Sequence, residues 1–210
     1  MLLELTDHPS AIDPAPFAGP DHPMRRLTRS VALGEGWTTD DAVRVAELFD
    51  SLAAAWSARQ VDDARSAPVL DALERGELPE SGRWLEIGSG TGTGTRLLSD
   101  TARSLVALDL SGEMLRHAPA ELAPRLQADA STLPFTDGSF IAVVMVNMLL
   151  FPAEVDRVLG PDGVIVWINT LGDQTPIHLP APDVMTALPG DWTGRTARAG
   201  TGFWLTARRR

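Results

Sequence analysis

The sequence predicts an α/β fold: a mostly parallel sheet of seven strands, with helices on both faces, that closes with a C-terminal antiparallel hairpin. Three observations predict it. After Pro79, short apolar runs alternate with segments of helical length. Three of those runs, 104–109, 140–146 and 163–169, are apolar nearly throughout rather than alternating, as strands covered on both faces are. The first run passes directly into W-L-E-I-G-S-G-T-G-T-G, from Trp84 to Gly94, where a strand breaks into alternating glycines.

Taken in order, residues 1–36 are rich in Pro without sustained periodicity and read as an irregular arm. Thr38 followed by Asp41 resembles a capping box, and Val45, Leu48, Phe49, Leu52 and Trp56 fall on one helical face behind it. A second short helix fits Pro68 to Arg75, with Pro in its first turn and Gly76 ending it. Strands are expected at 83–87, 104–109, 125–128, 140–146 and 163–169, and helices at 93–99, 112–117 and 153–159. Segments 192–198 and 203–208, joined by a Gly-containing turn, read as a hairpin. The chain thus divides into an N-terminal arm with cap helices, 1–79, and a ligand-binding domain, 80–210.

Composition excludes several kinds of chemistry. The chain of 210 residues is 44% apolar, enough for one sizeable core. Its net charge of −10 argues against a broad nucleic-acid footprint, and Arg208-Arg209-Arg210 reads as a solvated tail. With no Cys, no Tyr and Arg as every one of the 18 basic residues, disulfides, thiolate metal sites, Cys nucleophiles and lysine Schiff bases cannot form. The histidines at 8, 22, 117 and 178 lack metal-ligand spacing, so no metal is expected. No apolar stretch approaches the ~18 residues of a membrane span, and M-L-L-E-L-T-D-H-P lacks signal-peptide features, so a cytoplasmic location is expected.

The glycine run is built to receive a nucleotide. Gly88, Gly90 and Gly92 let the backbone turn sharply and approach a ligand, ahead of a helix with free N–H groups. A dinucleotide fingerprint, G-x-G-x-x-G, would need a third glycine at position 93, where Thr93 stands. The run is instead E-x-G-x-G-x-G from Glu86 to Gly92, and Asp109 ends the second strand, where a carboxylate accepts ribose hydroxyls.

Further motifs follow in order: A-L-D-L-S-G-E-M-L from Ala107, Q-A-D-A from Gln127, L-P-F from Leu133, and R-V-L-G-P-D-G from Arg157. Together with the glycine run they resemble class I S-adenosylmethionine-dependent methyltransferases of the ubiquinone/menaquinone-biosynthesis-like small-molecule type. The resemblance covers about residues 80 to 170, and L-F-D-S-L-A-A-A-W from Leu48 is similar to the helix preceding the core in such enzymes. It implies a Rossmann-like fold and S-adenosyl-L-methionine as cofactor. Gly88, Ser89 and Gly90 would approach its methionine part, with Glu86 organising the turn or the amino group. Asp109 would hold the ribose, Leu110 and Met114 would flank the adenine, and Asp129 would accept from the exocyclic amine. The Ala130 N–H would meet a ring nitrogen, and Asn147 would lie near the methionine end.

The segment N-M-L-L-F-P-A-E-V-D-R-V-L after the fourth strand is shorter than the family pattern and lacks its polar residue, so the expected substrate wall is apolar, built from Met148, Leu150 and Phe151. The sequence Asn147-Met148-Leu149-Leu150 is not the aromatic motif that holds a flipped base. The implied acceptor is a small organic molecule, methylated chiefly by alignment. For a hydroxyl acceptor, His178 is the nearest candidate base. The alternatives are a non-catalytic module that binds S-adenosylmethionine or S-adenosylhomocysteine, and a dinucleotide-dependent oxidoreductase that the Thr93 register disfavours.

Overall fold

The computed structural model describes residues 1–58 and 62–210. Its centre is one sheet of eight strands: β1 (Leu2–Glu4), β2 (Arg83–Ile87), β3 (Ser104–Asp109), β4 (Arg125–Gln127), β5 (Phe140–Val146), β6 (Leu159–Asn169), β7 (Trp192–Ala199) and β8 (Gly202–Arg209). In space they run β1-β7-β8-β6-β5-β2-β3-β4. Strands β2 to β6 pair in parallel, and β8 is antiparallel to both β6 and β7.

The all-apolar strands have the burial expected of them, since successive side chains enter opposite layers. Val143, Met145, Ile165 and Trp167 join one buried cluster, whereas Ala142, Val144, Val164 and Val166 join the other. Helices α1 (Pro23–Ala32), α2 (Thr39–Ser57), α3 (Asp63–Arg75), α4 (Thr93–Ser99), α5 (Gly112–His117), α6 (Pro152–Val158) and α7 (Ala181–Ala187) cover the two faces.

The sheet has eight strands rather than the expected seven, because the arm is not irregular throughout. Leu2–Glu4 adds a parallel edge strand on β7, in register with Gly194–Thr196, and residues 23–32 form α1. A three-residue strand is too short for periodicity to reveal, and its pairing partner lies at the other end of the sequence. Helix α7 was also not expected.

Helix α2 begins as the sequence indicates, with Thr38 and Asp41 completing a reciprocal capping box. Helix α3 does not begin at Pro68. Asp62 caps it, and Pro68 lies inside the helix. A proline there leaves the carbonyl four residues earlier without its helical donor. That carbonyl, on Ala64, accepts the Thr201 N–H from the β7–β8 turn at 3.0 Å, so a tertiary contact replaces the missing bond.

On the same face, Asp71 is bridged by the Arg75 guanidinium, at 2.6 and 2.5 Å, and by Trp204 Nε1 at 2.6 Å. Burial raises the Asp71 pKa, but the hydrogen bonds from Arg75 and Trp204 outweigh it and hold the carboxyl below its ordinary value.

Candidate cofactor site at the carboxyl ends of the strands

Strand order reverses beside β2, whose neighbours are β3 and β5, and parallel sheets open a crevice at the carboxyl ends of strands at such a point. A cavity of about 560 Å³ lies there. The turn after β2 lines it through Gly88, Ser89 and Gly90, with Glu86 beneath. Asp109 and Leu110 reach it from the end of β3 with Met114 of α5, Asp129 and Ala130 from beyond β4, and Asn147 from the end of β5. All ten residues picked out by sequence for the cofactor therefore meet on one cavity.

The glycine turn is shaped by its neighbours. Gly90 adopts φ +54°, and a Cβ there would meet no protein atom within 4 Å, so this face of the turn is open. The Gly90 N–H donates to Asp109 Oδ2 at 2.7 Å, and the Ser111 N–H donates to Oδ1 at 2.8 Å. One carboxylate thereby binds two loops together. Burial raises the Asp109 pKa, and the N–H groups of Ser111 and Gly90 counter it. Each oxygen still has a lone pair for a further donor.

Glu86 is 1% exposed and accepts from Thr95 Oγ1 at 2.6 Å. Burial is the main reason its pKa is pushed up to about 8, opposed by the Thr95 hydroxyl and reinforced by the nearby Asp109 charge. A side chain at position 94 would collide with Glu86 Oε1, which explains the fourth glycine of the run.

Asn147 holds an uncommon backbone conformation for a residue with a side chain, φ +50°. Its side chain donates to Thr170 Oγ1 and accepts the Thr170 N–H, each at 2.9 Å, so the amide ties β5 to β6. Thr201 Oγ1 continues this line by donating to the Thr170 carbonyl at 2.8 Å, beside Ala64. Arg65, next along α3, lines the same cavity. A single Arg on a helix carries no motif, so nothing in the sequence marks Arg65 for the cavity.

The apolar wall differs in part from expectation. Met148 and Phe151 line the cavity, but Leu150 is 0% exposed and belongs to the core. Phe49 and Trp56 line it from α2, stacked with centroids 5.7 Å apart. Trp37, to which sequence gave no role, lines it too. Its Nε1 donates to Asp129 Oδ2 at 2.9 Å, and its ring meets Phe151 edge-on at 5.3 Å. Asp129 Oδ1 accepts the Ser131 N–H at 2.8 Å.

His178 does not line this cavity. Asn169 accepts the Leu179 N–H and donates to the Ile177 carbonyl, and this clamp leaves the intervening side chain against Phe203, over a separate hollow beneath the arm. The histidine on the cavity is His22, whose Nδ1 accepts the Met24 N–H at 3.2 Å as the cap of α1. With Nδ1 accepting that bond, Nε2 is the ring nitrogen left to donate. Among the described residues no cluster of three metal-ligating side chains occurs, and no helix is long and apolar enough to cross a membrane.

Comparison with known proteins agrees with this geometry. Residues 85–167 match the family described as Methyltransferase domain. The chain is 35% identical over 153 residues to the biotin biosynthesis bifunctional protein BioHC of Cellvibrio japonicus, covering 68% of this chain and 30% of that protein. It is 33% identical over 97 residues to the demethylmenaquinone methyltransferase of Mycolicibacterium gilvum, covering 43% of this chain and 42% of that one. The matches thus span less than half the length of either relative. Among solved structures, a DhpI–SAH complex superposes with a TM-score of 0.64 at 23% identity, over 82% of this chain and 98% of that chain, a likeness of fold.

Proposed function

Because the chain carries a class I, S-adenosylmethionine-dependent methyltransferase domain of the ubiquinone/menaquinone-biosynthesis type, we propose that it transfers a methyl group from S-adenosylmethionine to a small organic molecule. The observation that carries the proposal is the convergence of Glu86, Asp109 and Asp129, from three separate strand ends, on one cavity with an open glycine turn. A volume of about 560 Å³ lies within the usual range for small-molecule sites, ~300–1,000 Å³.

The residues fit the cofactor end to end. Asp109 holds the ribose hydroxyls with the lone pairs left after Gly90 and Ser111. Leu110 and Met114 flank the adenine, Asp129 accepts from its amine, and the Ala130 N–H donates to a ring nitrogen. Gly88, Ser89 and Gly90 adjoin the methionine part; Ser89 Oγ is buried with no hydrogen-bond partner among the described residues. Glu86 receives the amino group. Arg65 supplies positive charge for the carboxylate, a task for which this chain has no Lys. Asn147 keeps that end closed by fastening β5 to β6.

When bound, the cofactor supplies an electrophilic methyl group on a sulfonium, so the protein's share is alignment and exclusion of water. Phe49, Trp56, Met148 and Phe151 supply an apolar wall for the acceptor, and His22 Nε2–H can orient an acceptor oxygen. The shortened segment after Asn147 still walls the cavity through Met148 and Phe151, and the similarity to methyltransferases does not favour a degenerate binding module. Nor does the net charge of −10 favour a nucleic-acid acceptor.

Calorimetry with S-adenosylmethionine and S-adenosylhomocysteine, followed by a methyl-release assay against small apolar acceptors, tests the proposal. Micromolar binding and turnover are expected. Tighter binding of NADH than of S-adenosylhomocysteine would overturn it.

A further inference from the structure

We propose that Trp37 is a positioning residue that couples the adenine end of the cofactor site to the acceptor wall, so that seating the cofactor steadies that wall. The inference rests on the cofactor assignment above and extends it to a residue outside every motif of the sequence.

Trp37 immediately precedes Thr38, the cap of α2, and so lies on the segment joining α1 to α2, from which it lines the cavity. Its two ends have different partners. The indole N–H, which can only donate, reaches Asp129 Oδ2 at 2.9 Å, while the ring edge packs on Phe151 at 5.3 Å and 76°. Among the described residues, the other donor to the Asp129 carboxylate is the Ser131 N–H of its own loop. Trp37, from the segment ahead of α2, therefore joins Ser131 in orienting the Asp129 carboxylate, with one donor on each oxygen. Phe151 heads α6 and belongs to the acceptor side.

A ligand amine donating to Asp129 shares that carboxylate with Trp37 and biases where the indole rests. The indole in turn sets the edge presented to Phe151 and the path of residues 33–38. Coupling of this kind is reciprocal, and ~5-fold or more is typical.

The test labels the protein with 5-fluorotryptophan and identifies the Trp37 ¹⁹F resonance by its loss in Trp37→Phe, a variant that keeps a ring on Phe151 and removes the N–H. Titration with S-adenosylhomocysteine is expected to move that resonance and to slow amide exchange across residues 33–38 about five-fold or more. Trp37→Phe is expected to bind S-adenosylhomocysteine about five-fold more weakly and to lose the slowing. Asp129→Asn, which leaves Trp37 in place, is expected to displace the Trp37 resonance in the ligand-free protein. Equal affinity in Trp37→Phe with the slowing retained would overturn the proposal, as would an unmoved Trp37 resonance in wild type at saturating ligand. Absence of any S-adenosylhomocysteine binding to wild type would overturn the cofactor assignment as well.

Discussion

The Asp50 carboxylate accepts the Ser111 hydroxyl at 2.5 Å, and the same oxygen accepts the Glu113 N–H at 3.1 Å. This contact fastens α2 to the first turn of α5, and Ser111 in turn donates its own N–H to Asp109. The helix that roofs the cavity is thus two hydrogen bonds from the carboxylate assigned to the ribose. Asp50→Ala is expected to weaken S-adenosylhomocysteine binding about tenfold, the equivalent of roughly 1.4 kcal/mol, and to speed amide exchange in α2. Asp50→Asn, which keeps one acceptor oxygen, should lose less. Equal affinities for wild type and the Ala variant in calorimetry would show that α2 seats without this clamp.

For Asp109 the expected loss is larger and double. Asp109→Ala removes the ribose acceptor, which weakens cofactor binding by about 1–3 kcal/mol, and also strands the Gly90 and Ser111 N–H groups, which lowers the melting temperature. Calorimetry and thermal unfolding of the same preparation separate the two effects. Unchanged affinity would remove Asp109 from the site.

Glu86 gives the ligand-free protein a pH dependence of definite sign. A carboxyl whose folded pKa is raised from 4.5 to about 8 binds its proton more tightly folded than unfolded. Its contribution to stability is complete below pH 4.5 and is lost as the pH rises through about 8. The melting temperature of ligand-free protein should therefore fall across this window by several degrees more in wild type than in Glu86→Gln, about 2–4 °C per kcal/mol at this chain length. Identical pH profiles would mean that Glu86 is already ionised at neutral pH. Binding of the cofactor's ammonium group should release a proton from Glu86, measurable as a dependence of the binding enthalpy on buffer ionisation enthalpy.

Asn147 combines a left-handed backbone with two side-chain bonds to Thr170. Asn147→Ala is expected to destabilise the fold by about 1–3 kcal/mol in urea unfolding, because it loses both bonds and keeps the strained conformation. Asn147→Gly should cost less, since glycine accepts that conformation freely. If Gly proved as damaging as Ala, the bonds alone would account for the loss.

What the sequence revealed and what it concealed divide along physical lines. Strands β3 and β5 were readable to the residue because burial on both faces leaves a continuous apolar run with abrupt polar ends, and β2 because it runs directly into the glycine turn. The glycine turn and the carboxylates at 86, 109 and 129 were readable because their spacing along the chain is itself the geometry that the ligand needs. Trp37, Arg65 and His22 were not, since each reaches the cavity through the packing of cap elements, and nothing local distinguishes a lining aromatic from a core one. His178 misled for the same reason: position in a loop does not fix which way a side chain turns, and Asn169 turned it away. Pro68 looked like a helix start because the donor that tolerates it inside the helix, Thr201, lies more than a hundred residues on.

The pairing of Leu2–Glu4 with Gly194–Thr196 has a consequence for the order in which the protein can be built. On a ribosome adding ~5–20 residues per second, the first strand emerges roughly 10–40 s before the strand that receives it exists. Through that interval its apolar residues must be tolerated unpaired, and Pro-rich sequence directly after them, poor at extending a sheet, limits pairing with the wrong edge. The arm should therefore stay protease-sensitive in stalled nascent chains ending near residue 190 and become resistant once β8 is released. Early resistance would mean that the arm docks elsewhere first.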